Sequence, residues 1–521
     1  MHRVMLNNNR IIYLFAVLLL SLLVITTYSQ ALSNGFHFDD HDNILNIPAI
    51  HLETLSLDGL RQAMDASLLQ NRSIPNLTFA IDWWRGSGDS RSFQSTNIAI
   101  HLLNTLLVFT LLLLLSRTLQ HPLRLYFALL GAAIWAVHPI QVQGVTYVVQ
   151  RMASLATLFT LLSLICYLRG RFAEQRSWLW FLLSACAFLL AAFSKEIAWI
   201  TPLLVLLLEY GVIRHRQSLI QYRWDWPLLA IPVLLAVWVI WDLVSGMGPL
   251  SQRLLPEYAI RDFTMEQRLL TQPQVVLFYL SQYFWPLPER FSIEHDFVVS
   301  QGLFNPLSTL FALLAVIAWS VAGVWLLLKK HYRLWGALLL WLPATLMVES
   351  SAVALEMVFE HRMYLPSFGL VALLALGLMA VSKKPKQSYA ALLVMLLFVG
   401  FCSYSTEQRI PAWQSSFKLY QSAVDNAPNS SRLWGNLALE YLAHQQMELG
   451  EQSARRALEL DAESVGGLEA MGVIMMDRGR LAEAERLLGM AMRISQTPSH
   501  TLLNHYGEVQ FKQRHLVQAQ A

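Results

Sequence analysis

Of the 521 residues, 55% are hydrophobic and 11% aromatic, only 14% are charged, and mean hydropathy is +0.42. Soluble domains carry about 25% charged residues, so the composition excludes an ordinary soluble globule and points to a polytopic membrane protein. The formal charge of +3 gives no sign of a nucleic-acid partner, and the three cysteines, Cys166, Cys186 and Cys402, sit inside apolar runs, where no disulfide framework or thiolate metal site is readable.

The chain opens with "MHRVMLNNNR" and then the apolar run "IIYLFAVLLLSLLVITTY". "SQALS" offers small residues for signal cleavage, but the many later apolar runs make an uncleaved first helix the simpler reading. A spanning helix needs about 20 mostly apolar residues. Eleven segments qualify, at 11–28, 96–115, 125–142, 152–168, 177–194, 197–213, 227–243, 304–328, 334–348, 364–381 and 388–405. Leu269 to Phe284 is also apolar, but Pro273 interrupts it. Arg3 and Arg10, then Arg117 and Arg124, Arg169 and Arg171, Arg214 and Arg216, Lys329, Lys330 and Arg333, and Lys383, Lys384 and Lys386 fall at alternate boundaries. Basic short loops mark the cytoplasmic side. The alternation holds if 269–284 is re-entrant or interfacial, with the N-terminus inside and everything after Ser405 outside.

On that topology "FDDHD" (38–42), "HPIQVQ" (138–143), Arg151, "SKE" (194–196), "EHD" (294–296) and "EMVFEHRMYLP" (356–366) share the outer face. Ionisable groups near the hydrocarbon edge are costly and are functional-site candidates by default. A set spread over several loops yet facing one compartment is hard to explain as solvation alone. Beyond Ser405 the composition changes. Ala423, Ala457 and Ala491 recur at intervals of 34, as do Ala438 and Gly472. That period, with small residues where helices cross, is the tetratricopeptide signature. Such repeats stack into a solenoid whose concave face binds extended peptide, or serve as a spacer.

Taken in order, several stretches resemble the transmembrane and tetratricopeptide-repeat O-mannosyltransferases and their bacterial relatives, in the GT-C superfamily of lipid-phosphate-sugar transferases. They are "FHFDDHDNILN", Arg72 with "NIAIHLLN", "HPIQVQGVTYVVQRMASL", "SKE", "FWPLPERFSIEHD", "FEHRMYLPSFG" and the repeat tail. The resemblance implies an all-α fold: a GT-C-type membrane bundle of about eleven spans over 1–405, with large outer loops at 29–95 and 244–303, and a tetratricopeptide α-solenoid over 406–521. It implies transfer of a sugar from a polyprenyl or dolichyl phosphate carrier to Ser or Thr of an extracytoplasmic protein, a pilin-like or secreted one among the possibilities, in a bacterial inner membrane or with lumenal repeats in the ER. Gln143 is a departure, since relatives usually carry Glu there. The repeat array is also short beside the animal proteins.

An inverting transfer needs a base for the acceptor hydroxyl and cations for the departing phosphate. The resemblance puts the base on Asp39 or Asp40; adjacent carboxylates repel, which raises one pKa. Arg binds phosphate in a forked, bidentate way. Arg362, beside Glu360 and His361 and before Tyr364, is the first choice, with Arg72 and Arg151 on the same side. Lys195 and Glu196 read as a pair at the membrane edge, in the site or as a structural bridge. His138 before Pro139 ends a helix and orients its loop, or binds a ligand, and Gln143 joins the site as a hydrogen-bonding residue. No metal ligand set is assigned, although a divalent metal at Glu294, His295 and Asp296 is possible. Leu269 to Phe284 fits the lipid carrier along the bilayer. Two other functions fit the same residues: a non-catalytic scaffold presenting the repeats, and a GT-C transferase acting on a lipid or glycan.

Overall fold

A computed structural model describes residues 2–66, 72–214, 241, 249–495 and 498–513. Among them helices account for all regular structure, and the only strand-like pairing is an isolated bridge between Gly302 and Asn305. The chain divides into two compact units, Met1–Phe291 with Val298–Pro411, and Ser292–Phe297 with Ala412–Ala521.

The first unit is built from α1 (His2–Tyr28), α2 (Leu57–Asp65), α3 (Ser73–Gly86), α4 (Ser90–Ser116), α5 (Arg124–Val137), α6 (Val142–Thr146), α7 (Arg151–Phe172), α8 (Ser177–Ala192) and α9 (Thr201–Leu208). After α10 (Pro249–Glu257) come α11 (Met265–Phe284), α12 (Ser308–Leu328), α13 (Arg333–Leu346), α14 (Ser367–Val381) and α15 (Pro385–Arg409). Six helical stretches among the described residues are long and apolar enough to cross a bilayer: Ile11–Ser33, Ser90–Leu119, Val148–Phe172, Glu196–Ile213, Ser308–Leu328 and Pro385–Gln414. The chain is an integral membrane protein. Three further expected segments form the shorter apolar helices α8, α13 and α14, and the one expected at 227–243 lies outside the described residues apart from Trp241.

The segment expected at 125–142 is broken, with a bend of 51° between Arg124–Val137 and Pro139–Thr146. Pro139 supplies no N–H and clashes with a preceding turn, which ends the helix. Irregular backbone at membrane depth survives only where protein satisfies it. Here α4 does so with polar residues three or four apart, hence on one face. Gln94 donates to the Thr146 carbonyl (2.8 Å), Asn97 to Val145 (3.0 Å), His101 to Ala136 (2.8 Å) and Asn104 to Ser154 (2.9 Å). Gly144 is required in this segment because a Cβ there would lie 2.5 Å from the Tyr364 ring.

In the second unit α16 (Ser416–Val424) precedes α17 (Ser431–Ala443), α18 (Met447–Leu460), α19 (Val465–Asp477), α20 (Leu481–Ile494) and α21 (His500–Lys512), each packed on the next. Ser430, Ser464 and Ser499 cap α17, α19 and α21, each hydroxyl accepting a backbone N–H of the first turn. Ala423, Ala457 and Ala491 are fully buried at the helix crossings, and Gly435 lets the backbones of α17 and α19 approach. The unit also holds Ser292–Phe297, where the Glu294 carboxylate accepts from Arg432 (2.8 Å) and Asp296 from the Asn429 amide (2.8 Å). α15 continues past Ser405 to Arg409 and is followed by a short 3-10 turn.

Candidate active site

The acidic turn after α1 is fastened from two sides. Asp40 is fully buried. Its Oδ2 accepts the His37 N–H (2.8 Å) and its Oδ1 the Val149 N–H (2.7 Å). One residue earlier, the Asp39 N–H donates to the Tyr147 hydroxyl (2.9 Å). Phe38 takes the left-handed region, φ 47°, to make the turn. Asp39, by contrast, reaches the surface.

Crowding by protein atoms still penalises the Asp39 anion, and its carboxyl is pushed above the usual range. A Tyr147 hydrogen bond opposes that shift, Asp42 and Glu356 add to it, and Arg72 opposes it. Burial pushes Asp40 up to about 8, against its two backbone N–H bonds; Asp39 adds to the rise and Arg151 reduces it. The neighbours therefore differ in kind, one an accessible carboxyl and the other a clamped one.

Two ion pairs flank this turn. Arg72 places its fork on Glu196, with Nε 3.3 Å from Oε1 and Nη2 3.0 Å from Oε2. Lys195 Nζ lies 2.6 Å from Glu349 Oε1. The expected Lys195–Glu196 pair is not formed. Lys195 is extended, φ −161° and ψ 150°, and Glu196 opens the 3-10 helix that follows. Each therefore finds a partner distant in sequence. Burial raises the Glu349 carboxyl, but Lys195, Arg362 and Arg72 outweigh it and hold the group below its ordinary range.

His361 lies among the same cations. Its N–H and its ring Nδ1 both face the Gln143 Oε1, at 2.8 and 3.1 Å. The oxygen accepts from both, so the ring proton sits on Nδ1. Burial, then Lys195, Arg362 and Arg72, hold the imidazole well below its usual pKa, so it is neutral. Gln143 thus accepts two hydrogen bonds from His361, and its Nε2 has no protein partner. Glu360 is buried and feels the charge of Arg409.

Arg362 is committed differently from the sequence expectation. Its Nη1 donates to the Met357 carbonyl (3.1 Å) and its Nη2 to that of Glu356 (2.7 Å), while its buried Nε has no partner. It joins a wider grip on the loop 349–357. Arg268 is fully buried and donates to the carbonyls of Glu349, Ser351, Leu355 and Glu356 at 2.5–3.1 Å. Arg261 adds bonds to the Ala354 carbonyl and the Glu356 carboxylate (both 2.9 Å), and Tyr258 one to Ala352 (2.7 Å).

Asp39, Arg72, Gln143, Lys195, Glu196, His361 and Arg362 therefore share one polar neighbourhood. Three other expected members are committed to other partners. Arg151 is fully buried and spent on Asp82 (2.6 Å), Asn97 (2.6 Å), Thr78 and the Phe93 carbonyl. His138 accepts from the Ile140 N–H, donates to the Tyr283 carbonyl (2.9 Å) and stacks on the Tyr283 ring. Tyr364 is buried against His101 (2.7 Å) and Asn104. Sequence reasoning missed Glu349 and Arg268, and took Glu356 only as part of the 356–366 stretch. Arg268 had a signal, an ionisable residue at the head of an apolar helix. Among the described residues no group of three or more His, Cys, Asp or Glu is placed to hold a metal. Glu294 and Asp296 turn instead to Arg432 and Asn429.

Against this geometry, curated proteins match over most of the chain. Protein O-mannosyl-transferase F38B6.6 of Caenorhabditis elegans is 21% identical over 437 residues, 81% of this chain and 59% of its own length. Protein O-mannosyl-transferase TMTC4 of Homo sapiens is 26% identical over 485 residues, 81% of this chain and 63% of its own length. The chain is a relative of the protein O-mannosyl-transferases. A third such relative, TMTC3 of Homo sapiens, is 22% identical over 501 residues, 90% of this chain and 54% of its own length. The chain thus spans 54 to 63% of the length of these O-mannosyl-transferases. No family model and no solved structure matches it.

Proposed function

We propose that the chain is a membrane glycosyltransferase that moves a sugar from a polyprenyl (dolichyl-type) phosphate carrier to Ser or Thr of an extracytoplasmic protein, with inversion, on a GT-C-type bundle of about eleven spans. The observation that carries the reading is Asp39, an accessible carboxyl with a raised pKa beside Arg72 and the Lys195–His361–Arg362 cluster. The relatives' names supply the reaction class.

Asp39 takes the proton of the acceptor hydroxyl as its oxygen attacks the anomeric carbon. The carbon–oxygen bond to the carrier breaks, and the phosphate leaves with the electron pair. A general base is typically worth 10²–10⁴-fold. Asp40 orients the turn from beneath. Lys195 and Arg72, now on Glu349 and Glu196, and Arg362, now on two carbonyls, supply positive charge for the phosphate. Trading a neutral carbonyl for an oxyanion favours the Arg362 fork, because charge-assisted bonds are roughly twice as strong. The repeat reading of the second unit is part of the proposal: α17 to α21, following 406, present acceptor on the same outer side.

Purified protein in bilayer nanodiscs, given a prenyl-phosphate sugar and an unfolded Ser/Thr-rich acceptor, adds one hexose mass per event to the acceptor. Asp39→Asn removes that gain. A gain on lipid alone would favour a lipid-modifying transferase, and no gain with any donor would favour the scaffold.

A further inference from the structure

A second cluster of ionisable groups lies far from the acidic turn. α7 begins at Arg151, just after the Val149 N–H that holds Asp40, and ends beyond Arg171. At 1.5 Å per residue the two arginines are about 30 Å apart along the helix, close to the thickness of a bilayer's hydrocarbon core. Arg171 therefore marks the opposite edge, the cytoplasmic one on the topology expected from the basic loops.

At that edge the chain leaves α9 through one π-helical turn, Glu209–Ile213. Such turns are rare and occur frequently at functional sites. Gly211 seats the turn against α13, where a Cβ would come within 2.6 Å of the Ala337 Cβ. The turn presents a buried carboxylate, Glu209, to two guanidinium groups. Its Oε2 accepts from the Tyr167 hydroxyl and from Arg171 Nε (both 2.9 Å), and its Oε1 from Arg171 Nη2 (2.9 Å) and Arg214 Nε (2.7 Å). Arg214 also lies over the Tyr210 ring, 5.5 Å from its centroid. Arg171 remains 37% exposed.

These groups line a cavity of about 390 Å³, whose other described walls are the apolar Phe181, Val205 and Leu206. Tying α7 to the turn after α9 would need only the carboxylate and one fork. The second guanidinium and the open volume exceed that task, and the described lining carries more positive than negative charge. We infer that this cavity binds a phosphate ester, that of an anionic phospholipid in the adjoining leaflet, with Arg171 and Arg214 on the phosphate and the apolar wall along the first carbons of its chains. Arginine takes phosphate in a forked, bidentate way, and basic pockets between membrane helices on the cytoplasmic side suit anionic head groups. Glu209 holds both forks in place before a ligand arrives, which lowers the ordering cost of binding. A soluble phosphate ester would meet the same arginines but leave the apolar wall unused. The site is separate from the proposed sugar transfer and does not rest on it.

The test titrates the full chain in detergent with phosphatidylglycerol or phosphatidylcholine and counts bound lipid by native mass spectrometry. Phosphatidylglycerol is expected to bind in preference. Arg171→Gln weakens it by about 10- to 100-fold, the scale of a lost hydrogen bond to a charged group. Arg176→Gln, on an exposed residue of the loop that follows, makes the same change in net charge and weakens it by no more than about fivefold, the scale of a general surface attraction. Arg171→Lys keeps the charge but loses the fork, and falls between the two. Val205→Trp fills the apolar wall and also reduces binding. Equal binding of the two lipids, or equal losses in Arg171→Gln and Arg176→Gln, would overturn the inference. So would an Arg171→Gln protein that melts earlier yet binds phosphatidylglycerol as before, since the cluster would then only tie helices together. Glycerol 3-phosphate that displaces phosphatidylglycerol from the wild type and binds Val205→Trp undiminished would overturn the lipid as the source and assign the arginines to a soluble phosphate ester.

Discussion

Asp39 and Asp40 are adjacent, yet an amide substitution should act on them through different physics. Asp39→Asn removes an exposed base: transfer falls by about 10²–10⁴-fold, with thermal melting in detergent unchanged. Asp40→Asn keeps one acceptor but turns an N–H toward a backbone N–H. Leaving a buried donor unpaired costs roughly 1–3 kcal/mol, so this variant melts earlier, and its transfer falls only with the turn. The pH signs also differ. A base must be ionised, so the rate declines as pH falls through the raised Asp39 pKa, at higher pH than an ordinary carboxylate would give. Arg72→Gln removes a cation that lowers that pKa, and the acid limb moves further up. Asp40 has a folded-state pKa above its unfolded one, up to about 8. Its contribution to stability is full below the unfolded value and is lost as pH rises through the folded one. Melting temperature should drop across that window in the wild type and less so in Asp40→Asn. Gln143→Glu would set an anion against His361 and raise its depressed imidazole pKa. An unchanged pH–rate profile and an unchanged His361 NMR titration would show that this hydrogen bond does not reach the chemistry.

At the scale of elements, the loop 349–357 has little regular structure of its own and is held mainly by side chains that grip its carbonyls. Arg268→Gln keeps the polarity and much of the length but loses the fork, so hydrogen exchange should rise across 349–358 while α11 remains protected. Equal exchange in the variant and the wild type would mean Arg261, Tyr258 and Arg362 suffice. This loop also marks where sequence reading stops. Six long apolar runs were legible because hydrocarbon demands helix wherever chain crosses it. Pairing was not. Neighbouring Lys195 and Glu196 looked like partners, but the backbone changes from extended to 3-10 between them and they pair with Glu349 and Arg72, residues 154 and 124 positions away. Arg151 looked like a phosphate ligand because its number placed it outside. Its burial on Asp82 depends on α3 and α4 packing over it, which no local pattern encodes. "NIAIHLLN" was legible as a motif, but its task of satisfying the broken backbone at 136–154 appears only when α4 meets that backbone.

For the whole molecule, the proposed topology sets the second unit on the side opposite the N-terminus. A reporter fused after Ala521 should be active only when it works outside the cytoplasm. Activity confined to the cytoplasm would separate the repeats from "FDDHD" and end the transferase reading. A 34-residue period was visible in the alanines before any helix was seen, and Ala423, Ala457 and Ala491 are all buried. What the period did not show is that a piece of chain from elsewhere joins the array. Residues 292–297 leave the first unit after Phe291, enter the second through Glu294 on Arg432 and Asp296 on Asn429, and return at Val298. The second unit is therefore buckled as well as joined. A protease site engineered between Pro411 and Ala412 would sever the chain, yet the cut piece would keep its grip on a strap still covalently part of the other fragment. Exposed ion pairs contribute only about 0.2–1 kcal/mol and weaken with salt. The nicked protein's hold on its C-terminal fragment should accordingly weaken as salt rises, and Arg432→Ala should weaken it by a similar amount without salt.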